Sequence, residues 1–149
     1  MASLGPTSIA SGDFNPGSMP DLAISNSSSN NIGVALGNGD GTFRVTTALP
    51  VGSSPRRMIA VDLRGIGTLD LAVVNFNSNS LSVLLGDGDG AFQPAQTTTG
   101  FSSPTSVATA DFNLDGKADL AVTNSSSAST TVTVLLRSGD ATCQPPKRL

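Results

Sequence analysis

D-F-N-L-D-G-K-A-D-L-A-V, Asp111–Val122, is an acidic turn that opens directly into an apolar run. The same frame occurs twice earlier in the chain. Asp13 is followed eight residues on by Asp21 and L-A-I, and Asp62 by Asp70 and L-A-V, each pair 49 residues before the next. A fixed period of this size marks a repeat architecture. Aligned on the first aspartate, the units begin P-T-S-I-A-S-G-D (Pro6–Asp13), P-R-R-M-I-A-V-D (Pro55–Asp62) and P-T-S-V-A-T-A-D (Pro104–Asp111). They define repeats over residues 6–54, 55–103 and 104–149 of a single unit spanning 1–149.

Within each repeat the apolar runs are short, rich in Val, Ile and Thr, and bounded by Gly, Asn, Asp, Ser or Pro, the pattern of strands joined by tight turns. After the acidic turn and its run comes a Ser/Asn-rich turn and a third run, Ile32–Leu36, Leu81–Leu85 and Val132–Leu136. The first two of these lead into G-N-G-D-G-T-F (Gly37–Phe43) and G-D-G-D-G-A-F (Gly86–Phe92). A strand follows rather than a helix, so these glycines predict a hairpin turn and not a phosphate cradle. A fourth, more polar run, Arg44–Val51 and Gln93–Gly100, suits an outer edge strand, and Pro94 agrees with that place. The fold class is therefore all-β: three four-stranded antiparallel meanders of the propeller-blade type. In the third repeat the glycine turn becomes R-S-G-D-A-T-C (Arg137–Cys143) and the chain ends Q-P-P-K-R-L, so the last blade is expected to lack its outer strand or to replace it with a proline-bearing stub.

Composition narrows the function classes. With 38% hydrophobic and 4% aromatic residues, the core must be built from small aliphatic side chains and six Phe. A net charge of −3 with few basic residues, clustered only at Arg56-Arg57 and Lys147-Arg148, argues against nucleic acid or an anionic membrane as a partner. No apolar run is long enough to insert in a membrane. The single Cys143 excludes an intrachain disulfide and reads as a small buried hydrophobe, with an intermolecular bridge as the alternative. His is absent, which removes the usual general base and any Ser/His or Cys/His arrangement, so no enzyme is expected. There is no Glu either, and all 11 acidic residues are Asp lying in the two kinds of recurring turn. The sequons at Asn26 and Asn124 are acceptors in a glycosylating host, but the motif is common by chance and a bare surface turn is the favoured reading.

The chemistry thus lies in the acidic turns. Asp111, Asn113, Asp115 and Asp119 supply side-chain oxygens at turn positions 1, 3, 5 and 9, Gly116 allows the bend, and Lys117 offers its carbonyl. Ca²⁺ takes six to eight hard oxygens, which a turn with oxygens on alternate residues can wrap around one ion. Three carboxylates in one turn also repel one another unless a cation is present. An EF-hand would need flanking helices and a Glu, so this reads as a calcium turn between strands, the alternative being Asp and Asn that cap a tight turn through bonds to their own backbone. The first turn keeps Asp13, Asn15 and Asp21 but has Gly17 in the central acidic position, which leaves weakened binding and no binding equally open. The second has Arg64 and Ile66 in two ligand places, and Arg64 is expected to substitute for the ion by pairing with Asp62 or Asp70.

Two motifs, D-F-N-L-D-G-K-A-D-L-A-V (Asp111–Val122) and L-L-G-D-G-D-G-A-F (Leu84–Phe92), resemble the FG-GAP/VCBS repeat family, the integrin-α-like β-propellers. The resemblance runs from Pro6 to about Gln144. It implies one propeller blade per repeat, with Ca²⁺ held at Asp111, Asn113, Asp115 and Asp119 and by the carbonyl of Lys117. Propellers have about 4 to 8 blades, so three repeats imply either a piece of a longer protein or association: a homo-oligomer, simplest as a two-fold dimer giving six blades, or a filament where the contact does not close. The open edge of the third blade invites Ala2–Thr7 of a neighbour. The functional expectation is a calcium-stabilised extracellular structural or interaction module, secreted by way of a signal outside this chain, with a glycan or protein ligand. The alternative is a carbohydrate-binding, lectin-like module, which the low aromatic content disfavours.

Overall fold

The computed structural model describes residues 5–46, 48–126, 129–138 and 147–148. All regular structure among them is strand, arranged as three antiparallel sheets that follow the three repeats. The first sheet runs β1 (Pro6–Gly12), β2 (Asp21–Asn26), β3 (Asn31–Gly37) and β4 (Phe43–Val45), with β5 (Leu49–Pro50) also on β3. The second is β6 (Pro55–Val61), β7 (Asp70–Asn75), β8 (Ser80–Leu84) and β9 (Gln96–Thr99). The third is β10 (Pro104–Ala110), β11 (Asp119–Ser126), β12 (Ser129–Leu135) and β13 (Lys147–Arg148).

Turn chemistry fixes these meanders. Asn30 and Asn79 take φ of 54° and 50° just before β3 and β8, a conformation Asn tolerates better than most residues. In the glycine turns Gly39 and Gly41 have φ of 79° and 86°, and Gly88 and Gly90 have 82° and 88°. Such values turn the chain back on itself at no side-chain cost, and the Gly86–Phe92 bridge closes the second of these hairpins. The glycines are hairpin turns, as their spacing predicts.

The outer strands differ in detail from expectation. The polar run Arg44–Val51 divides into β4 and β5, both on β3, and of the second run Gln96–Thr99 forms the strand, with Pro94 before it. The third sheet does not lack an outer element: β13 pairs Arg148 with Thr133 and Lys147 with Val134. It is a two-residue stub, too short to cover β12. Cys143, most of the turn that contains it, Pro145, Pro146 and the Ala2–Leu4 part of the expected edge-pairing segment lie outside the described residues.

The sheets are held together by two apolar layers. Ala23, Ile32 and Val34 of the first sheet meet Leu71, Val73 and Leu84 of the second. On its other face the second sheet turns Ala72, Val74, Leu81 and Val83 against Leu120, Val122 and Leu135 of the third. Alternate residues of β7 therefore serve opposite layers, and every residue of β7 and β8 is buried. Each fully buried aliphatic side chain of this size contributes about 1.5–3 kcal/mol. β2 and β11 are buried on one face only, since the first and third sheets each have just one neighbour.

One rule connects both layers. In the repeated D-L-A motif the Leu faces the preceding sheet and the Ala faces the following one: Leu71 and Leu120 point back, Ala23 and Ala72 point forward. The stack consequently has a direction.

Candidate metal-binding turns

The second aspartate of each pair, Asp21, Asp70 or Asp119, opens the second strand of its sheet and is buried. Its carboxylate does the same work three times. One oxygen accepts an N–H from within the acidic turn, Phe14 at 2.8 Å, Leu63 at 3.2 Å or Phe112 at 3.0 Å. The other accepts an N–H at or just past the end of the third strand, Gly37 at 2.8 Å, Gly86 at 2.9 Å or Arg137 at 2.8 Å. Each of these carboxylates thus ties the acidic turn to the end of the third strand. At Gly37 and Gly86 the backbones approach so closely that an added Cβ would lie 2.4 Å from the Pro20 carbonyl oxygen and 2.2 Å from that of Leu69. Arg137 stands at the corresponding place in the third sheet, so the local backbone there must differ.

In the second turn Arg64 pairs with Asp70 rather than Asp62. Its Nη2 donates to Asp70 Oδ1 at 2.7 Å, to Thr68 Oγ1 at 2.9 Å and to the Gly86 carbonyl at 2.5 Å, and Nε reaches Asp70 Oδ2 at 3.3 Å. The guanidinium fills the space between the buried carboxylate and the end of β8. Asp62 instead accepts the N–H groups of Arg64, Gly65, Ile66 and Gly67. Partial burial opposes its ionisation, yet the N–H groups, Gly67 first among them, outweigh this and hold its carboxyl below the usual range.

The third turn has the conformation of the second: Leu114 and Gly116 take φ of 61° and 83° where Gly65 and Gly67 take 67° and 83°. Asp111 accepts Asp115 N–H at 3.1 Å and Gly116 N–H at 2.7 Å, Asp115 accepts Lys117 N–H at 3.0 Å, and Asn113 Nδ2 donates to Asp115 Oδ2 at 3.1 Å. Lys117 sends its own Nζ to the Ser138 carbonyl at 2.9 Å. Asp111, Asn113 and Asp115 are thus joined in one hydrogen-bonded turn, with Asp119 at its base. Among the described residues no three or more His, Cys, Asp or Glu side chains converge as a metal-holding group. The donor set still fits a hard divalent cation in kind, being entirely carboxylate and carboxamide oxygen, and the second turn carries a guanidinium as stand-in cation. In the first turn Asp13 is exposed, Asn15 half-buried and Asp21 buried, and Asp13 accepts no hydrogen bond among the described residues.

Sequence reasoning missed the other end of the same strands. Asn26, Asn75 and Asn124, which close D-L-A-x-x-N, are buried. Asn75 Nδ2 donates to Ser80 and Ser82 hydroxyls at 3.1 and 2.9 Å, and Asn124 Nδ2 to Thr133 Oγ1 at 2.9 Å. The available signal was their recurrence in all three repeats. Two of them head the sequons, and a buried, engaged Nδ2 in the folded chain is not accessible to a glycan.

Fold and site together define an all-β repeat protein whose antiparallel sheets are each pinned by one buried aspartate. Residues 62–122 match the family described as FG-GAP-like repeat, so the chain carries an FG-GAP-like repeat. No curated protein matches it. In fold it is similar to a chain in a structure of the Photorhabdus luminescens Tc holotoxin pore, with a TM-score of 0.50 and 20% identity over 87% of this chain. It spans only 6% of that chain's length.

Proposed function

We propose that this chain is a calcium-stabilised module of propeller blades that acts outside the cell as a structural or interaction unit and associates with other chains. The observation that carries the reading is the Arg64 guanidinium on Asp70: in one repeat the buried carboxylate has a built-in cation, and the third repeat offers Asp111, Asn113, Asp115, Asp119 and the Lys117 carbonyl instead. A bound Ca²⁺ would neutralise the turn and crosslink its oxygens, and this chain's residues would supply the cage. The first turn, with Asp13, Asn15 and Asp21, lacks the central carboxylate and ranks below the third. The blade reading is supported by β6 contacting both β1 and β10, so that the first strands of all three sheets gather along one edge. Turns of modest affinity suit the millimolar calcium found outside cells.

Thermal melting with added Ca²⁺ tests this. At saturating calcium a site that binds only the folded chain adds about 2.7 kcal/mol at a hundredfold excess over Kd, which for a chain of this size is a rise of roughly 5–10 °C. Asp115→Ala should abolish the rise. An unchanged melting temperature between chelator and millimolar Ca²⁺ contradicts the metal assignment.

A second reading, a carbohydrate-binding module, is favoured by one recess of about 440 Å³ lined by Thr7, Ser27, Ser54, Arg56, Arg57 and Thr105. Thr7, Arg56 and Thr105 are equivalent residues of the three first strands, and Arg56 stacks on Phe76 at 3.6 Å from the ring centroid. Hydroxyls and guanidinia are groups a glycan uses, although no ring lines the recess. A glycan array that shows hits lost in Arg56→Ala supports this reading, and a blank array at high protein concentration removes it.

A further inference from the structure

The joint between the first and second sheets contains an aromatic buckle. Phe14, second residue of the D-F-N turn, reaches forward and meets Phe92, at the end of the next glycine turn, edge-on at 5.4 Å between centroids and 72° between planes. The Phe14 carbonyl accepts the Gly90 N–H at 2.7 Å. The repeats supply one further copy of each half. Phe112, in the third D-F-N turn, is 48% exposed, and Phe43, at the end of the first glycine turn, is 43% exposed. By their place in the repeat, Phe112 on the last sheet is the counterpart of Phe14 and Phe43 on the first is the counterpart of Phe92.

The open sheet faces match them. The first sheet's outward face, with half-buried Leu22 and Ile24 and with Ile9 and Val45 at 61% and 70% exposure, is the face that Leu71 and Val73 form in the second sheet, where it is covered. The third sheet's outward face, Ala121 and Thr123 beside Val134 and Val132, is the counterpart of the Ala23 face that covers Leu71.

We infer that a second copy of this chain docks head to tail, the third sheet of one on the first sheet of the next, with Phe112 and Phe43 making the intermolecular version of the Phe14–Phe92 buckle. The joint rests on the association reading above and adds its direction and its contact residues. It is heterologous: each chain has one face of each kind, so copies add in one direction until the arrangement closes or continues.

Sedimentation of the full chain and two variants tests it. Phe112→Asp removes the forward half and Phe43→Asp the backward half, and both positions are exposed enough for the single chain to fold, which circular dichroism checks. Wild type should self-associate. Either variant alone should associate tenfold or more weakly, as expected for loss of an aromatic anchor, and an equimolar mixture of the two should recover heterodimers and nothing larger. Wild type that associates while either variant alone still dimerises overturns the head-to-tail joint and leaves association standing. A monomeric wild type overturns both.

Discussion

Replacing Asp70 by alanine is expected to destabilise the chain by about 3–5 kcal/mol, the usual result of removing one partner of a buried ion pair. The carboxylate is fully buried, and its loss strands three groups: the Arg64 guanidinium and the N–H groups of Leu63 and Gly86. Arg64 is only 18% exposed at its side chain, so water cannot readily replace what is lost. Arg64→Ala should cost less, about 1.5–3 kcal/mol, because Asp70 keeps its two backbone donors. Urea unfolding monitored at equilibrium gives both numbers, with the slope unchanged if the unfolded state is unaffected. If Asp70→Ala costs under about 1 kcal/mol, the buried carboxylate is not an anchor. Against a total stability of about 5–15 kcal/mol, the expected loss places the variant near the folding limit.

Leu71→Ala is the second large effect. Leu71 is buried between the first and second sheets, and such truncations cost about 2–5 kcal/mol depending on how far the site collapses. Leu22 occupies the same place in the first repeat but lies on the outward, half-buried face. Leu22→Ala should cost less than half as much in the isolated chain, and the difference between them measures what a covering sheet contributes. Equal costs for the two would mean that the outward face is already covered in solution. Thermal and urea unfolding at low protein concentration make the comparison clean.

Much of the fold was legible because local signals agreed. The 49-residue period marked the repeats and the glycine turns marked the hairpins. Which way each side chain faces was not legible: β2 carries Leu, Ala and Ile in succession, and β7 is a continuous apolar run because both of its faces are covered. The outer strands were harder, since edge pairing depends on a few backbone bonds that leave no apolar pattern; β13 has no hydrophobic signal at all. At the turns, the sequence marked Arg64 as a replacement for the ion but left its partner open between Asp62 and Asp70. Burial chose Asp70, while Asp62 is satisfied by four N–H groups of its own turn. The double duty of Asp21, Asp70 and Asp119 was not legible, because the N–H groups of Gly37, Gly86 and Arg137 lie 16 to 18 residues away and only pairing of the strands brings them close.

The rule that Leu faces back and Ala faces forward has a consequence for how such a chain can change length. Every internal boundary is the same boundary, so a unit copied or deleted whole meets a neighbour it already fits, and no core has to be redesigned. Lengthening or shortening by part of a unit enjoys no such freedom: it would put a Leu face against a Leu face or separate a buried aspartate from the strand end it holds. Gene duplication in steps of one repeat is therefore the tolerated path.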